Sequence, residues 1–317
     1  MSAAKEGESN IVLFAALAAN LGIAVAKFVA AAITGSSSML TEGVHSVVDS
    51  LNQVLLLYGQ RRGRKPPDAD HPFGYGRELY FWSFVVAILI FAVGAGVSVF
   101  EGWAHIENPA PLDSPLINYI VLVVAFVMEG GSWWVAMREF SAANKGSGWW
   151  QAVRRSKDPA AMIVLFEDSG ALAGLVIAAI GVWASHHWND ARIDGVASIA
   201  IGLLLGLIAA LLAREAKGLL IGEGADPAVV AQVRAIVDRY PQITAVNHVR
   251  TIHTAPASVF VAISADFRDD LPMGEAELLI ERIESELKAT VPALSSIYIR
   301  PERQEDAATL PGMGDRK

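Results

Sequence analysis

Six long apolar segments constrain the fold of this chain more than any other feature. They cover residues 11–33, 38–60, 79–102, 116–137, 160–184 and 193–212. Each is long enough to cross about 30 Å of hydrocarbon, which takes roughly 20 helical residues. Glycine, serine and proline in the connections end one helix and allow the next to begin. Residues 1–217 are therefore predicted to form a bundle of six transmembrane helices in a lipid bilayer.

The composition agrees with a membrane protein that also has a soluble part, because 53% of the 317 residues are hydrophobic and 18% are charged. Cysteine is absent, so disulfides and thiolate metal sites are excluded, and a metal ion has to be bound by oxygen and imidazole. The net charge of −8 speaks against nucleic acid as a partner. No signal-peptide pattern precedes the first apolar segment, which we expect to stay in the membrane.

Basic residues are concentrated in alternate connections between these segments. They occur at 61–65, between 138 and 157, and at 214 and 217, and they are rare in the other connections. The positive-inside rule then places both termini in the cytoplasm, which six crossings allow. We expect a multi-pass protein of a bacterial inner membrane.

The C-terminal part has the pattern of a small soluble domain. Amphipathic helices are predicted at 226–240 and 274–289, and strands at 243–254, 258–267 and 295–300. This αββαβ order predicts a ferredoxin-like α+β cytoplasmic domain over residues 218–303. Residues 304–317 are predicted to be a disordered tail.

Ionisable side chains interrupt the second apolar segment. His45 and Asp49 are four residues apart, so they lie on one face of a helix, one turn from each other. A carboxylate near the bilayer centre costs roughly 2.5–3.5 kcal/mol, and such residues usually face a cavity. An imidazole and a carboxylate at this spacing can bind one divalent cation, as in helical zinc sites. The alternative is a polar pair that satisfies itself between helices.

Two more acids, Glu167 and Asp168, lie within the fifth apolar segment. With Asp49 they bring the cost of insertion to the order of 10 kcal/mol, which a cation or protons must offset. Lys27 is the one basic residue within the neighbouring apolar segments, and one lysine does not balance three acids. The pattern therefore favours a divalent cation over a structural salt bridge. Glu129, in the fourth segment, either relays protons or bonds to a neighbouring helix.

The chain resembles the cation diffusion facilitator family of divalent metal/proton antiporters. The resemblance rests on Glu42-Gly43-x-His45-x-x-x-Asp49, on the loop at 68–77, on the acidic fifth segment and on the αββαβ order. It implies a transport site of His45, Asp49 and Asp168. It also implies a homodimer whose helices alternate between inward-facing and outward-facing states, with dimer contacts from the C-terminal domain.

Three departures from the family pattern leave alternatives open. Many members have His or Asp at the position of Val164, so that Glu167 and Asn52 are rival candidates for the fourth ligand. Many have a second His at the position of Tyr75. The remaining loop residues either form a secondary metal site or make a turn: Asp68, Asp70 and His71. The C-terminal domain has few histidines, and we expect it to dimerise without a metal cluster.

These features together predict an exporter that exchanges a cytoplasmic divalent cation for protons. Cation binding needs a neutral His45 and ionised acids, so metal and protons compete. Zn²⁺ is the predicted substrate, and Fe²⁺, Co²⁺ and Mn²⁺ also accept these ligands. A membrane-anchored metal sensor, a proton-linked transporter of organic cations and a channel are the rival functions. No nucleophile–base pair or nucleotide loop is visible, so neither enzymatic activity nor a prosthetic group is expected.

Overall fold

The computed structural model describes residues 17, 20–109, 115–143 and 159–307. The chain divides into two compact units, each with its own hydrophobic core. The first is made by the described residues of Met1–Arg62 and Glu78–Lys217, and the second by those of Gly63–Arg77 and Gly218–Lys317. The second unit thus takes in residues 63–77, which the sequence analysis assigned to the membrane domain.

The long elements of the first unit are all helices. These are α1 (Asn20–Thr34), α2 (Ser37–Gly63), α3 (Glu78–Glu107), α4 (Pro115–Ala143), α5 (Pro159–Trp188) and α6 (Arg192–Ile221). Among the described residues, four helices (α3 to α6) are long and apolar enough to cross a membrane. A helical transmembrane domain is therefore confirmed, whereas the count of six crossings stays a prediction.

Helix α2 is long, but because of its polar residues it is not among the four helices that are apolar enough to cross a membrane. Those polar side chains point inward, since Glu42, His45 and Asn52 are at most 1% exposed. Its apolar side chains lie on both sides, since Leu51 and Val54 are about half exposed, whereas Met39, Val48 and Leu56 are buried. A helix with buried polar side chains and exposed apolar side chains such as Leu51 suits a bundle with a polar interior and a surface that faces lipid.

The helices of the first unit approach closely where glycine replaces a side chain. A Cβ atom on Gly102 of α3 would lie 2.5 Å from the carbonyl oxygen of Gly195 in α6. Without a hydrophobic drive between helices in lipid, such close backbone contacts are a main source of packing energy. Helix α3 also contains a π-helical turn at Ile90–Ala95, which changes the phase of its two halves.

The second unit contains α7 (Pro227–Val237), β1 (Ile243–Ala255), β2 (Ser258–Phe267), α8 (Met273–Thr290), β3 (Leu294–Pro301) and α9 (Gln304–Ala307). The sheet has the order β1-β2-β3, with β2 antiparallel to β1 and parallel to β3. Alternate residues of β2, such as Val261 and Ile263, are buried with apolar residues of α7 and α8. The three-stranded sheet and the αββαβ order are as predicted, and the ferredoxin-like arrangement stays a prediction.

The short helix α9 lies at the start of the segment predicted to be disordered. The backbone N–H of Gln304 donates to Asp266 Oδ2, and Ala307 is 3% exposed. These contacts tie residues 304–307 to the sheet, so the prediction of disorder is wrong for them. Residues 308–317 lie outside the described residues.

Candidate metal centre

One face of α2 carries the ionisable side chains of the centre. Glu42, His45, Asp49 and Asn52 follow each other at intervals of three or four residues and are all buried. His45 Nδ1 lies 3.4 Å from Asp49 Oδ1. In the part of the chain that the structure describes, neither ring nitrogen of His45 makes a hydrogen bond. A buried imidazole without a partner is costly, and a bound cation is one group that would satisfy it.

Glu167 of α5 meets this face of α2. Asn52 Nδ2 donates to Glu167 Oε1 at 2.5 Å, and the carboxyl groups of Asp49 and Glu167 are in hydrogen-bond contact. Two carboxyl groups this close share a proton or require a cation between them. We call the group of His45, Asp49, Asn52 and Glu167 the imidazole position.

Asp168 makes its hydrogen bond to α4 and not to this group. Its Oδ2 accepts a hydrogen bond from Ser132 Oγ of α4 at 3.0 Å, and neighbouring residues on a helix diverge by about 100°. In the described residues, no three His, Asp or Glu side chains are arranged to hold one metal ion. The structure thus brings Asp49 together with Glu167, while Asp168 joins α4. Side chains must move for one ion to touch His45, Asp49 and Asp168, and this ligand set stays a prediction.

A buried ion pair lies beside the imidazole position. Lys27 Nζ of α1 is 3.0 Å from Glu42 Oε2 and donates to Ser46 Oγ at 2.8 Å. Gly174 of α5 leaves room for Glu42, because a Cβ atom there would lie 2.5 Å from Glu42 Oε1. From sequence, Lys27 is weighed only against the acids as a group, and its specific partner Glu42 is not predicted. The sequence pattern that could have predicted this ion pair is a lysine and a glutamate within two successive apolar segments.

The buried acids of the first unit differ in whether hydrogen-bond donors or a basic residue offset the cost of burying them. Asp194 of α6 accepts hydrogen bonds from Ser36 Oγ and from both the backbone N–H and Oγ of Ser38. This carboxyl group therefore caps α2, and its oxygens have hydrogen-bond donors. Four other buried acids have no Lys or Arg partner among the described residues. They are Asp49, Glu129, Glu167 and Asp168.

The predicted secondary site lies in the loop between α2 and α3. Asp68 Oδ1 accepts from the backbone N–H groups of Asp70 and His71, and Asp68 Oδ2 accepts from Tyr75 Oη at 2.7 Å. The hydrogen bond from Tyr75 is the main reason why the pKa of Asp68 lies below its usual range. His71 Nδ1 is 3.5 Å from Asp68 Oδ1. These contacts describe an Asp-centred turn, and metal binding by Asp68, Asp70 and His71 stays a prediction.

Two family models match most of the chain. A model described as the cation efflux transmembrane domain matches residues 13–221. A model described as the cytoplasmic domain of cation efflux proteins matches residues 225–304.

Proteins similar to this chain carry the names of metal transporters. The mitochondrial proton-coupled zinc antiporter SLC30A9 of Xenopus laevis is 33% identical over 243 residues, which is 76% of this chain and 44% of that protein. The human protein of the same name is 31% identical over the same share of this chain and 43% of its own length. The cation-efflux pump FieF of Shigella flexneri is 25% identical over 89% of this chain and 88% of its own. The chain therefore spans less than half the length of the mitochondrial relatives.

Proposed function

The chain belongs to the cation efflux family, and on this premise we propose that it exchanges a divalent metal ion for protons across a membrane. The observation that carries the proposal is the imidazole position. His45 is 1% exposed, and neither of its nitrogens makes a hydrogen bond in the described residues, although Nδ1 lies 3.4 Å from Asp49 Oδ1. Two acids without a Lys or Arg partner there, Asp49 and Glu167, accompany it. A divalent cation would satisfy the imidazole and both carboxylates at once, after side chains move to bring these three groups onto one ion.

Zn²⁺ is the proposed substrate. The imidazole position offers one nitrogen donor and several oxygens, a set that Zn²⁺ accepts and that Fe²⁺, Co²⁺ and Mn²⁺ also accept. The names of the mitochondrial relatives specify zinc, whereas the bacterial relatives are named only as cation-efflux pumps. An iron, cobalt or manganese exporter of the same family is the alternative that the oxygen-rich ligand set favours.

Proton exchange follows from the contact between Asp49 and Glu167. With no cation bound, two adjacent buried carboxyl groups such as these would share a proton, because like charges this close do not both ionise. A divalent cation binds to ionised carboxylates and neutral imidazole, so that its arrival releases protons and their return expels it. If the imidazole position faces the two sides of the membrane alternately, metal moves one way and protons the other.

The proposal also includes the sequence predictions on membrane crossing, orientation and assembly, which stay predictions. We propose that α1 and α2 cross the membrane with α3 to α6, and that both termini are cytoplasmic. We also propose a homodimer in a bacterial inner membrane, with dimer contacts from the C-terminal domain. The match of that domain to the cytoplasmic domain of cation efflux proteins supports this arrangement.

Metal uptake by proteoliposomes tests the proposal. The purified full chain is reconstituted and offered Zn²⁺, Fe²⁺, Co²⁺ or Mn²⁺, while metal entry and internal pH are followed together. We expect uptake of one ion with an opposite proton movement, which Asp49→Ala abolishes and His187→Ala, an exposed histidine of α5, leaves intact. Metal binding without uptake by the wild type would favour a sensor, and absence of both would refute the proposal.

A further inference from the structure

Buried hydrogen bonds join the start of α2 to α6 at one end of the bundle. Asp194 Oδ2 of α6 accepts from Ser36 Oγ at 3.0 Å and from the backbone N–H of Ser38 at 3.1 Å, and Ser38 Oγ donates to Asp194 Oδ1. One turn further along both helices, Thr41 Oγ1 is hydrogen-bonded to Ser198 Oγ. We call these five residues the α2–α6 clasp.

The clasp is closed off from solvent. Its five side chains belong to residues that are at most 2% exposed. Ser198 Oγ also donates to the backbone carbonyl oxygen of Ser98 at 3.0 Å, which brings α3 into the same network. At this end of the bundle, Thr34 Oγ1 of α1 lies 2.9 Å from Asn118 Oδ1 of α4, within hydrogen-bond distance. The helices are therefore held together by buried polar contacts where α1 ends and α2 begins.

Asp194 does more than cap α2. The N-terminus of α2 already has a cap in its own sequence, because the backbone N–H of Met39 donates to Ser36 Oγ at 3.2 Å. Asp194 is an additional partner from another helix. Among the described residues, the clasp supplies all the hydrogen bonds between α2 and α6. Its effect is thus to tie these two helices to each other.

The clasp lies one turn from the imidazole position along α2. Thr41 is four residues before His45, so one face of the helix carries first a clasp hydroxyl and then the imidazole. The basic residues Arg61 and Arg62 are in the last turn of the same helix. The clasp therefore separates the imidazole position from the end of the bundle opposite to these basic residues.

The chemistry of the clasp suits a contact that opens and closes. Hydroxyl and carboxyl groups that part in a membrane protein can form hydrogen bonds with entering water, so that opening exchanges partners instead of leaving them unsatisfied. Apolar side chains in the same place would gain nothing from water. At the other end of α2, Arg62 pairs with Glu78 of α3, with the two side chains 34% and 25% exposed. Such a partly exposed pair holds helices together only weakly.

We propose that Asp194 is the positioning residue of a gate that bars the imidazole position from the side of the membrane opposite Arg61 and Arg62. Alternating access needs one group of helices to move against another around the site. While the clasp is closed, α2 stays on α6, and an ion leaves on this side only after the clasp opens. Asp194 acts through α2, which carries His45 and Asp49. This inference rests on the proposed function, because only a transported ion needs a second exit.

A reversible disulfide tests the gate. The sequence contains no cysteine, and Thr41→Cys with Ser198→Cys places two thiols where two hydroxyl groups are in hydrogen-bond contact. The full chain is reconstituted, oxidised and offered Zn²⁺, or whichever of Fe²⁺, Co²⁺ and Mn²⁺ the wild type transports. We expect oxidation to lower uptake at least tenfold while metal binding stays within twofold of wild type, and a phosphine reductant to restore uptake.

The chain offers a matched control for the cysteine pair. Thr254 Oγ1 donates to Ser258 Oγ at 2.9 Å, and both residues belong to the second unit. Oxidation of Thr254→Cys with Ser258→Cys should leave uptake unchanged. Wild-type uptake by the Thr41–Ser198 cysteine pair with its disulfide formed, or loss of metal binding together with uptake, would overturn the inference and leave the proposed function standing.

Asp194→Asn decides the matter where the cysteine pair does not fold or oxidise. It keeps the size of the side chain but turns one acceptor into a donor that faces the donors of Ser36 and Ser38. We expect the maximal rate of uptake to fall at least tenfold with metal affinity within twofold of wild type, while Asp190→Asn, an exposed aspartate nearby, keeps both. An unchanged maximal rate, or an equal loss of affinity, would overturn the inference. A wild type that transports none of the four ions would overturn the proposed function first.

Discussion

At the scale of single residues, the pairing of Lys27 with Glu42 determines which buried acids of the bundle have a basic partner. Its ion pair with Glu42 is fully buried, with both side chains 0% exposed. Burying two charges is costly, and the pair offsets this cost only while both partners are present. Four other buried acids have no Lys or Arg partner among the described residues and are left for protons or a cation: Asp49, Glu129, Glu167 and Asp168.

Breaking this pair should destabilise the protein strongly. We expect Lys27→Met to lower the free energy of unfolding by about 3–5 kcal/mol, because it leaves the buried Glu42 carboxylate uncompensated. Lys27→Met combined with Glu42→Leu should recover much of this loss. Thermal unfolding in detergent measures both, with Arg268→Ala, which breaks an exposed pair with Asp270, as a control that leaves the unfolding temperature unchanged. A double variant as unstable as Lys27→Met would contradict this account.

Glu167 contributes to the imidazole position through contacts with two residues of α2. Glu167→Gln keeps a hydrogen-bonding side chain next to Asn52 but removes the charge beside Asp49. We expect Zn²⁺ affinity to fall about tenfold or more. Isothermal titration of the full chain measures it, with Glu139→Gln, which changes an exposed glutamate of α4, as the matched control. Equal Zn²⁺ affinities of Glu167→Gln and the wild type would show that Glu167 is not a ligand.

At the scale of elements, α2 and α5 meet through a glycine. Gly174 gives Glu42 its space, whereas a Cβ atom on Gly130 of α4 would only touch Leu172 at 3.9 Å. Helix positions such as these permit close backbone approach in membranes. The packing of α5 on α2 therefore depends on the absence of one methyl group.

The substitution Gly174→Ala should disturb the buried ion pair without changing any charge. Its Cβ atom would meet Glu42 Oε1 at 2.5 Å, and we expect Glu42 to move from Lys27, with a lower unfolding temperature and slower metal uptake. Gly130→Ala should match the wild type in both measurements. Wild-type stability of Gly174→Ala would mean that Glu42 relaxes without loss.

The loop between α2 and α3 gives a separate prediction at this scale. Asp68 has a lowered pKa, so its contribution to loop stability is present above the ordinary aspartate pKa of about 3.9 and is lost as the pH falls through the lowered value. At pH 7 the contacts are intact, and Asp68→Asn should speed amide hydrogen exchange over residues 69–76. Asp70→Asn is the control, because its side chain makes no hydrogen bond in the described residues. If adding Zn²⁺ slows exchange in the wild type but not in Asp70→Asn, the loop binds metal.

The elements could be predicted from sequence much better than their contacts. Apolar length and proline placement indicate α3 to α6, and alternation along the chain indicates β1 and β2. Which of the neighbours Glu167 and Asp168 faces α2 depends on how α4 and α5 pack, and no pattern within either helix records that. The hydrogen bond of Ser132 to Asp168 is of this kind, because a serine in an apolar helix gives no sign of its partner.

At the scale of the whole molecule, a membrane unit with uncompensated acids is joined to a small α+β unit. The segment 63–77 belongs to the second unit, although it lies in sequence between two helices of the first. Its ring contacts show why, since Phe73 packs edge-on against Phe260 of β2 at 5.5 Å. From sequence, this segment is placed with the membrane domain, because a hydrophilic loop with one phenylalanine does not reveal which unit it packs against.

Accumulation of zinc against its own gradient tests the central claim most directly. Proteoliposomes with an acidic interior are placed in a neutral medium with equal Zn²⁺ on both sides, an arrangement that works for either orientation of the protein. The account predicts that protons leaving the vesicles drive Zn²⁺ inward above the external concentration, and that His45→Ala or collapse of the pH gradient abolishes this accumulation. Zinc that enters but never exceeds the external concentration would contradict the account, because a channel would behave in that way.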